Sequence, residues 1–190
     1  MLDEVVYGPY NEEKLAELVL YVAKKLRHDP RGGSTKLNKC LYFADFSAVR
    51  RLGHPITGAE YQRLPQGPAP RRLQPVRDRL IRSGEAQLDE RIDSFGYRHH
   101  DLIPVREPRT DVFSEAELAV VDEVIAALDA MNAAEVSELS HGDAGWQLVG
   151  EGETIPYELA FVLAPEQVEL TPAMRAEGKR LLAQYGDRLA

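Results

Sequence analysis

The chain has 190 residues, of which 44% are hydrophobic and 28% charged. This length can bury a core without disulfides or metals, and the composition is that of a globular protein, not a disordered one. Its single cysteine, Cys40, excludes an intrachain disulfide and a CxxC zinc site, which fits a reducing cytosol. The acidic N-terminus has no signal-peptide pattern, and no run of 18 apolar residues could span a membrane. We therefore expect a cytoplasmic protein.

The net charge of −8 is distributed unevenly along the chain. Residues 1–110 contain 19 Lys or Arg and 15 Asp or Glu, a balance of +4, whereas residues 111–190 contain 4 and 16, a balance of −12. The acidic half either keeps the protein soluble or steers a basic partner towards it. The overall negative charge disfavours a nucleic-acid surface that extends over the whole chain.

Two helices are predicted near the start of the chain. Asn11 and the glutamates after it are typical of a helix N-terminus, and apolar residues follow at helical spacing from Leu15 to Leu26. Ser34 is the predicted cap of a second helix, which ends at Gly53. Apolar residues cover so much of this second helix that we predict a central position with neighbours on several sides.

The middle of the chain combines short extended segments with a third helix. Residues 56–66 are predicted to include a short extended segment, and the Gly-Pro-Ala-Pro turn at 67–70 can begin the third helix, which ends at Gly84. Residues 86–88 and 97–105 have strand-like composition and are separated by a turn rich in Asp, Ser and Gly. They predict an antiparallel hairpin.

The last third of the chain is predicted to be helical. Ser114 and Glu117 form a capping-box pattern before an apolar stripe, and a shorter helix follows at residues 133–139. Residues 141–146 are predicted to be a turn that opens another helical piece, and a final helix begins at Thr171.

No internal repeat or low-complexity segment divides the chain. The best candidate linker, residues 106–111, is short. We therefore predict a mainly helical α+β fold with a small antiparallel hairpin, in a single domain of residues 1–190.

Four short motifs occur in order along most of the chain. Residues 36–46, KLNKCLYFADF, resemble a Lys-Leu-x-Lys-Leu-Leu-Tyr-Phe-Ala run, and residues 53–61 resemble a Pro-Ile-Thr-Gly-x-x-Tyr continuation. Residues 66–70 resemble a Gly-Pro-Val-Pro turn, and residues 139–146 resemble a Leu-Ser-His…Trp pattern. No single motif is specific, but the ordered set, from about 36 to 146, resembles the signature of the Panacea family of SocA-like and GepA-like antitoxins.

The motifs depart from the family pattern at two positions. Cys40 replaces a common leucine and Ala69 replaces a valine, and both changes are small and apolar. Most of the matching side chains are expected to be structural, with internal hydrogen bonds for Tyr42 and Asp45 and a core position for Trp146. These signature residues are Lys36, Leu37, Lys39, Tyr42, Phe43, Asp45, Gly67, Pro68, His141 and Trp146.

The resemblance implies a function. Panacea proteins are antitoxins of two-gene toxin–antitoxin systems in bacteria and phages, and they neutralise unrelated toxins by direct binding. It therefore implies a type II antitoxin whose toxin is expected to be encoded by the adjacent gene, with a role in phage defence. One SocA-like branch delivers its toxin to an ATP-dependent protease, which is a further expected partner. The family carries no established catalytic residues, and we expect no cofactor, metal or membrane partner.

The strongest local charge feature is a cluster of arginines between residues 63 and 82, opposed only by Asp78. Arginine suits protein interfaces because its planar guanidinium pairs with carboxylates and stacks on aromatic rings. The alternative is a solvated helix face that pairs with the acidic half of the chain. The predicted partner-binding residues are Tyr61, Arg63, Arg71, Arg72 and Arg77.

Two other functions compete with an antitoxin. A helix, an arginine-rich helix and a hairpin follow one another as in a winged helix, whose phosphate contacts would include Arg71 and Arg79. The acidic second half makes nucleic acid an unlikely partner. An enzyme is disfavoured because Ser140, His141 and Asp143 have the residue types of a catalytic triad without a Gly-x-Ser-x-Gly elbow. A local capping or turn role suits them better.

Overall fold

A computed structural model describes residues 7–92 and 98–162, and in these ranges the fold is the predicted mainly helical α+β type. The helices are α1 (Glu12–Leu26), α2 (Ser34–Leu52), α3 (Leu73–Arg82), α4 (Glu115–Leu128), α5 (Ala133–His141) and α6 (Ala144–Gln147). The strands are β1 (Tyr61–Gln62), β2 (Ala69–Pro70), β3 (Ala86–Ile92), β4 (Arg98–Pro104) and β5 (Thr154–Ile155). Turns of 3₁₀ helix occur at Thr110–Val112 and Tyr157–Phe161. None of these helices is long and apolar enough to cross a bilayer.

The ends of α1 and α2 follow local sequence signals, with one correction. The Asn11 side chain accepts a hydrogen bond from the Lys14 amide at 3.0 Å, as predicted for the N-cap of α1. The prediction that Ser34 caps α2 is wrong, because Gly33 occupies the N-cap and makes no side-chain bond. Gly33 has a φ of +119°, which glycine adopts without strain. Gly53 ends α2 in the left-handed conformation, as predicted.

Helix α2 is the centre of the fold. It packs against α1, α4, α5, β2 and the 3₁₀ turn at Tyr157–Phe161. Its buried side chains, among them Leu37, Leu41 and Phe46, lie on several sides of the helix because each side has a neighbour. The wide apolar arc in the sequence therefore predicted its central position correctly.

The β structure consists of two small antiparallel sheets. In the first sheet, β1 lies between β2 and β5, so that Tyr61 faces both Pro70 and Ile155. The prediction that the third helix can begin at residues 67–70 is wrong, because Ala69–Pro70 pairs with β1 and α3 begins at Leu73.

The second sheet is the predicted hairpin. Strands β3 and β4 pair from Ala86 opposite Pro104 to Ile92 opposite Arg98. Strand β3 therefore extends beyond the predicted residues 86–88. The predicted turn between the strands and the predicted helix at Thr171 lie outside the described residues.

A buried carboxylate joins α1 to the segment that follows the hairpin. Glu17 is 1% exposed and accepts hydrogen bonds from the Arg106 guanidinium at 2.6 and 2.9 Å. It also accepts from the backbone amide and the guanidinium of Arg109 at 2.8 and 3.1 Å. Burial alone would raise the pKa of Glu17, but these hydrogen bonds outweigh it and hold the pKa at about 2.

Helix α4 packs on α2. Some acidic side chains of α4 form ion pairs with basic residues of the first half of the chain. The N-terminus of α4 carries the predicted capping box of Ser114 and Glu117. The Glu117 carboxylate also binds Lys14 at 2.7 Å, and Glu123 at the surface binds Arg51. Some of the acidic charge thus stabilises this chain internally and does not remain free for a basic partner.

Candidate functional site

The signature residues of the four motifs meet around α2. Lys36 is fully buried, and its ammonium donates to Asp29 Oδ2 at 2.5 Å and to the carbonyls of Asp129 and Met131 at 2.9 and 3.0 Å. Three acceptors satisfy the three N–H groups of the ammonium, and one of them supplies the opposite charge. Lys36 therefore fastens the loop before α2 to the end of α4.

Asp45 connects the first two motifs. Its buried carboxylate accepts hydrogen bonds from the Thr57 amide at 2.8 Å, the Thr57 hydroxyl at 2.5 Å and the Tyr61 hydroxyl at 2.8 Å. Burial raises the pKa of Asp45, and the same hydrogen bonds act in the opposite direction. Tyr61 is 1% exposed, and its hydroxyl is already engaged in this network. The network holds residues 57–61 against α2.

Tyr42 connects α2 to the last motif. Its buried hydroxyl donates to Asp143 Oδ1 at 2.6 Å, and the same oxygen accepts from the Gly145 amide at 2.9 Å to cap α6. Asp143 thus has the local capping role that the sequence indicated. A Cβ on Gly145 would lie 2.6 Å from the Tyr42 oxygen, so the close packing here requires glycine. Leu37 is buried nearby in α2, whereas Phe43 is half-buried.

Three of the motifs meet where Lys39, Gly67 and Ser140 lie close together. The Lys39 ammonium donates to the Pro68 carbonyl at 3.2 Å. Gly67 has a φ of +97°, and a Cβ on it would lie 2.7 Å from Lys39 Nζ and 2.3 Å from Ser140 Oγ. The turn at residues 66–70 can therefore approach α2 and α5 only because position 67 has no side chain.

None of the residues that the structure describes supplies a counter-charge to Lys39. No carboxylate of the described residues lies within 4 Å of its ammonium, and its only hydrogen-bond acceptor is the Pro68 carbonyl. Burial lowers the pKa of Lys39 to about 8, because the charged form is poorly solvated there. A cavity of about 270 Å³ adjoins Lys39, and Asn38 and residues 64–67 form part of its wall.

Trp146 fastens the outer wall of this cavity. Its indole N–H donates to the Leu64 carbonyl at 3.0 Å, and its ring stacks on His141 with centroids 4.1 Å apart. The Arg63 guanidinium lies 4.0 Å from the Trp146 ring centroid and donates to the Val149 carbonyl at 2.5 Å. Trp146 is half-buried, so this stack lies at the edge of the core and reaches the surface.

Comparison with known proteins identifies the family. The profile described as "Antitoxin SocA-like, Panacea domain" matches residues 37–147, which is more than half of the chain. The chain belongs to this family of antitoxins. The matched range begins in α2 and ends with α6, and the signature predicted for 36–146 agrees with it to one residue at each end. No curated protein and no solved structure matches the chain.

The arginines near the Panacea signature have different environments. The Arg71 guanidinium donates to Gln62 Oε1 at 2.9 Å, to the Gly152 carbonyl at 2.6 Å and to the Thr154 hydroxyl, and so fastens β5 to its neighbours. Arg72 is exposed and lies 5.8 Å from the Tyr10 ring centroid. Arg71 therefore forms hydrogen bonds that hold the sheet together, whereas the Arg72 side chain is exposed at the surface.

The arginines of α3 are partly engaged as well. Arg77 is half-buried; burial lowers its pKa, and its Nε has no hydrogen-bond partner among the described residues. Arg79 lies 3.5 Å from a Glu12 oxygen and 3.8 Å from a Glu85 oxygen. These contacts are made with glutamates of the first half of the chain, not with the acidic second half.

The cavity beside Lys39 was not predicted from the sequence, nor was the lack of a counter-charge among the described residues. A signal was present, because Lys36 and Lys39 are charged positions in a helix whose apolar residues cover most of its circumference. Which of the two lysines has a carboxylate partner depends on Asp29 and Pro68. The sequence pattern of α2 does not contain that information.

Proposed function

We propose that this protein is the antitoxin of a bacterial or phage type II toxin–antitoxin system and neutralises its toxin by direct binding, without catalysis. The observation that carries the proposal is the Panacea match over residues 37–147. The toxin is expected to be the product of the adjacent gene, and the complex is expected to form in the cytoplasm.

The toxin is proposed to bind the loop surface, which consists of Arg63, residues 64–67 and Trp146. Arginine and tryptophan provide much of the binding energy in many protein interfaces, because they bury a large area and form directed polar contacts. Among the described residues, no carboxylate forms an ion pair with Arg63, so its charge is available to a partner. Arg71 lies beside this surface, because it donates to the Gly152 carbonyl and the Gly152 amide binds the Arg63 carbonyl. The buried Tyr61 is left out of it.

Co-expression with the adjacent gene product tests the function. The toxin alone should stop growth, the two proteins together should restore it, and a purified complex should contain both chains. Toxicity that persists without a complex would contradict the antitoxin role. If this chain also acts as a protease adaptor, the toxin should be shorter-lived in its presence, and only in cells that retain the ATP-dependent protease.

Charge reversal at Arg63 tests the loop surface. Arg63→Glu should weaken toxin binding and growth rescue, since it removes the stack on Trp146 and reverses the charge. Arg82→Glu is the matched control, because Arg82 is exposed on α3 and its hydrogen bond goes to the Asp78 carbonyl of its own helix. Full binding by Arg63→Glu would refute the location of the interface and leave the antitoxin role standing.

Nucleic acid is not proposed as a partner. In a winged-helix interpretation Arg71 and Arg79 would contact phosphates, but Arg71 binds the sheet and Arg79 lies near two glutamates. Phosphate contacts would have to compete with these interactions. No other feature of the described residues favours DNA binding.

A further inference from the structure

A buried ammonium group lies directly behind the loop surface. Lys39 is 2% exposed, and it donates one hydrogen bond, to the Pro68 carbonyl at 3.2 Å. An ammonium group has three N–H donors, and the other two have no acceptor among the residues that the structure describes. A buried charge with so few partners is costly to the free protein.

The space beside this ammonium is a cavity whose wall also includes a side-chain oxygen without a partner among the described residues. The cavity has a volume of about 270 Å³, and Lys39 and Asn38 of α2 form one wall. Residues 64–67 form the opposite wall, and their outer side belongs to the loop surface. The Asn38 side-chain oxygen is buried without a partner in the described part of the chain. Rotation of the Asn38 amide by 180° about its last side-chain bond exchanges this oxygen for the N–H₂ group, and a carboxylate in the cavity requires that orientation.

We propose that this cavity is a carboxylate-binding site, in which Lys39 and Asn38 hold a carboxylate group of the toxin, from an acidic side chain or the chain terminus. This inference rests on the proposed antitoxin function and specifies the chemistry of its binding site. A carboxylate supplies a negative charge. It also accepts hydrogen bonds from the two N–H groups of Lys39 that have no acceptor among the described residues.

Other ligand chemistry suits the cavity less well. A hydroxyl or amide group would accept a hydrogen bond but would leave the charge of Lys39 uncompensated. A phosphate group carries up to two negative charges, and Lys39 is the one cation among the described residues that line the cavity. A single carboxylate matches this single positive charge.

Gly67 places no side chain next to the ammonium. A Cβ at this position would lie 2.7 Å from Lys39 Nζ, in the space next to the charge. The φ of +97° also favours glycine there. The loop therefore brings its backbone close to Lys39 without placing a side chain over the ammonium.

A purely structural role for Lys39 makes a different prediction. A lysine that is kept for stability has acceptors and a carboxylate, as Lys36 does with Asp29. Replacing Lys39 by the similarly long but apolar methionine should therefore stabilise the free protein and weaken the complex. A structural lysine would lose stability on the same substitution.

The Lys39→Met variant tests the proposal in the full-length chain. We expect the melting temperature of the free protein to rise by a few degrees and toxin binding to weaken by about 30-fold or more. Arg82→Met is the control and should change neither value. Toxin binding at wild-type strength by a folded Lys39→Met protein would overturn the proposal.

NMR titration of the wild-type protein tests the proposal even if the Lys39→Met variant does not fold. In the wild-type protein, NMR titration of the Lys39 side chain should give a higher pKa in the toxin complex than in the free chain. An unchanged Lys39 pKa in the complex would overturn the proposal.

A titration of the free protein in sodium acetate tests the carboxylate site independently of the proposed antitoxin function. If the adjacent gene product forms no complex with the wild-type chain, the antitoxin proposal fails, but the cavity can still be tested. Sodium acetate should then raise the pKa of Lys39 relative to sodium chloride at equal ionic strength. No difference between the two salts would refute the carboxylate site itself.

Discussion

Lys36 and Lys39 lie about one turn apart in α2, and both side chains are buried, yet only Lys36 contacts a carboxylate among the described residues. Lys36 donates to Asp29 at 2.5 Å and to two carbonyls, whereas Lys39 donates to the Pro68 carbonyl alone. The same residue type therefore has opposite energetic consequences at two neighbouring positions. Lys36 connects parts of the fold, whereas Lys39 holds a charge that no carboxylate in residues 7–92 or 98–162 compensates.

Removal of the paired lysine should be strongly destabilising. Lys36→Met leaves the Asp29 carboxylate and two carbonyls without their donor, which should lower the free energy of unfolding by about 3 kcal/mol or more. Urea denaturation of Lys36→Met and Lys39→Met measures the contrast. Equal losses in the two variants would contradict the different roles of the two lysines.

The stability cost of Lys39 should depend on pH. Its pKa is about 8 in the folded protein, against 10.5 for an ordinary lysine, so the unfolded chain binds more protons between these values. The contribution of Lys39 to stability therefore rises as the pH increases from 8 to 10.5. Below pH 8 the charge costs about 3 kcal/mol at most.

The comparison of wild type with Lys39→Met isolates this effect, because the other titrating groups are common to both proteins. The stability advantage of Lys39→Met should be largest at pH 7 and should shrink by pH 10. It is measured as the difference between the two free energies of unfolding at each pH. A difference that stays constant with pH would show that Lys39 is not the titrating group.

Glu17 should have the opposite pH dependence. Its pKa of about 2 lies below the ordinary 4.5, so its stabilisation is present above pH 4.5 and is lost as the pH falls towards 2. Glu17→Gln should lower the free energy of unfolding at pH 7 by about 2 kcal/mol, less than the full pKa difference because Arg106 and Arg109 are partly exposed.

The Glu17 effect can be distinguished from a general loss of surface charge. The loss in Glu17→Gln should disappear near pH 2, where the wild-type carboxylate also becomes protonated. Glu13→Gln removes an exposed partner of Arg109 and should change stability much less. A loss in Glu17→Gln that persists at pH 2 would indicate a packing effect.

Gly67 should tolerate alanine less well than Gly53 does. Both have positive φ values, +97° and +81°, so both alanine variants incur a backbone cost of about 1 kcal/mol. A Cβ on Gly53 meets nothing within 4 Å, whereas one on Gly67 would collide with Ser140 and Lys39. Thermal unfolding should therefore show a larger loss for Gly67→Ala, and equal losses would contradict the close approach of the turn to α2.

The sequence predicted the features that depend on local signals. The N-cap at Asn11, the capping box at Ser114 and the wide apolar arc of α2 lie within single segments, and the structure confirms all three. Strand β2 was missed because residues 67–70 have the composition of a rigid turn, and their strand conformation requires pairing with Tyr61. Interactions between distant segments override local preference at such places.

The site could be predicted only in part for the same reason. The motifs indicated which residues belong to the family signature, and the internal hydrogen bonds of Tyr42 and Asp45 were expected because buried polar groups need partners. The finding that no carboxylate in the described part of the chain pairs with Lys39 depends on how distant segments pack together. The partner-binding roles of the arginines and the single domain of residues 1–190 remain predictions.

Thr57 should be needed for stability but not for toxin binding. Its hydroxyl donates to Asp45 at 2.5 Å and accepts from the Ala59 amide at 3.1 Å, all within a buried network. Thr57→Val keeps the shape of the side chain and removes both hydrogen bonds, so the free energy of unfolding should fall by about 1–3 kcal/mol. The exposed Thr110→Val is the control for threonine replacement. Since Thr57 lies inside the fold and away from the loop surface, toxin affinity of the folded variant should be unchanged; weaker binding without loss of stability would assign Thr57 to the interface.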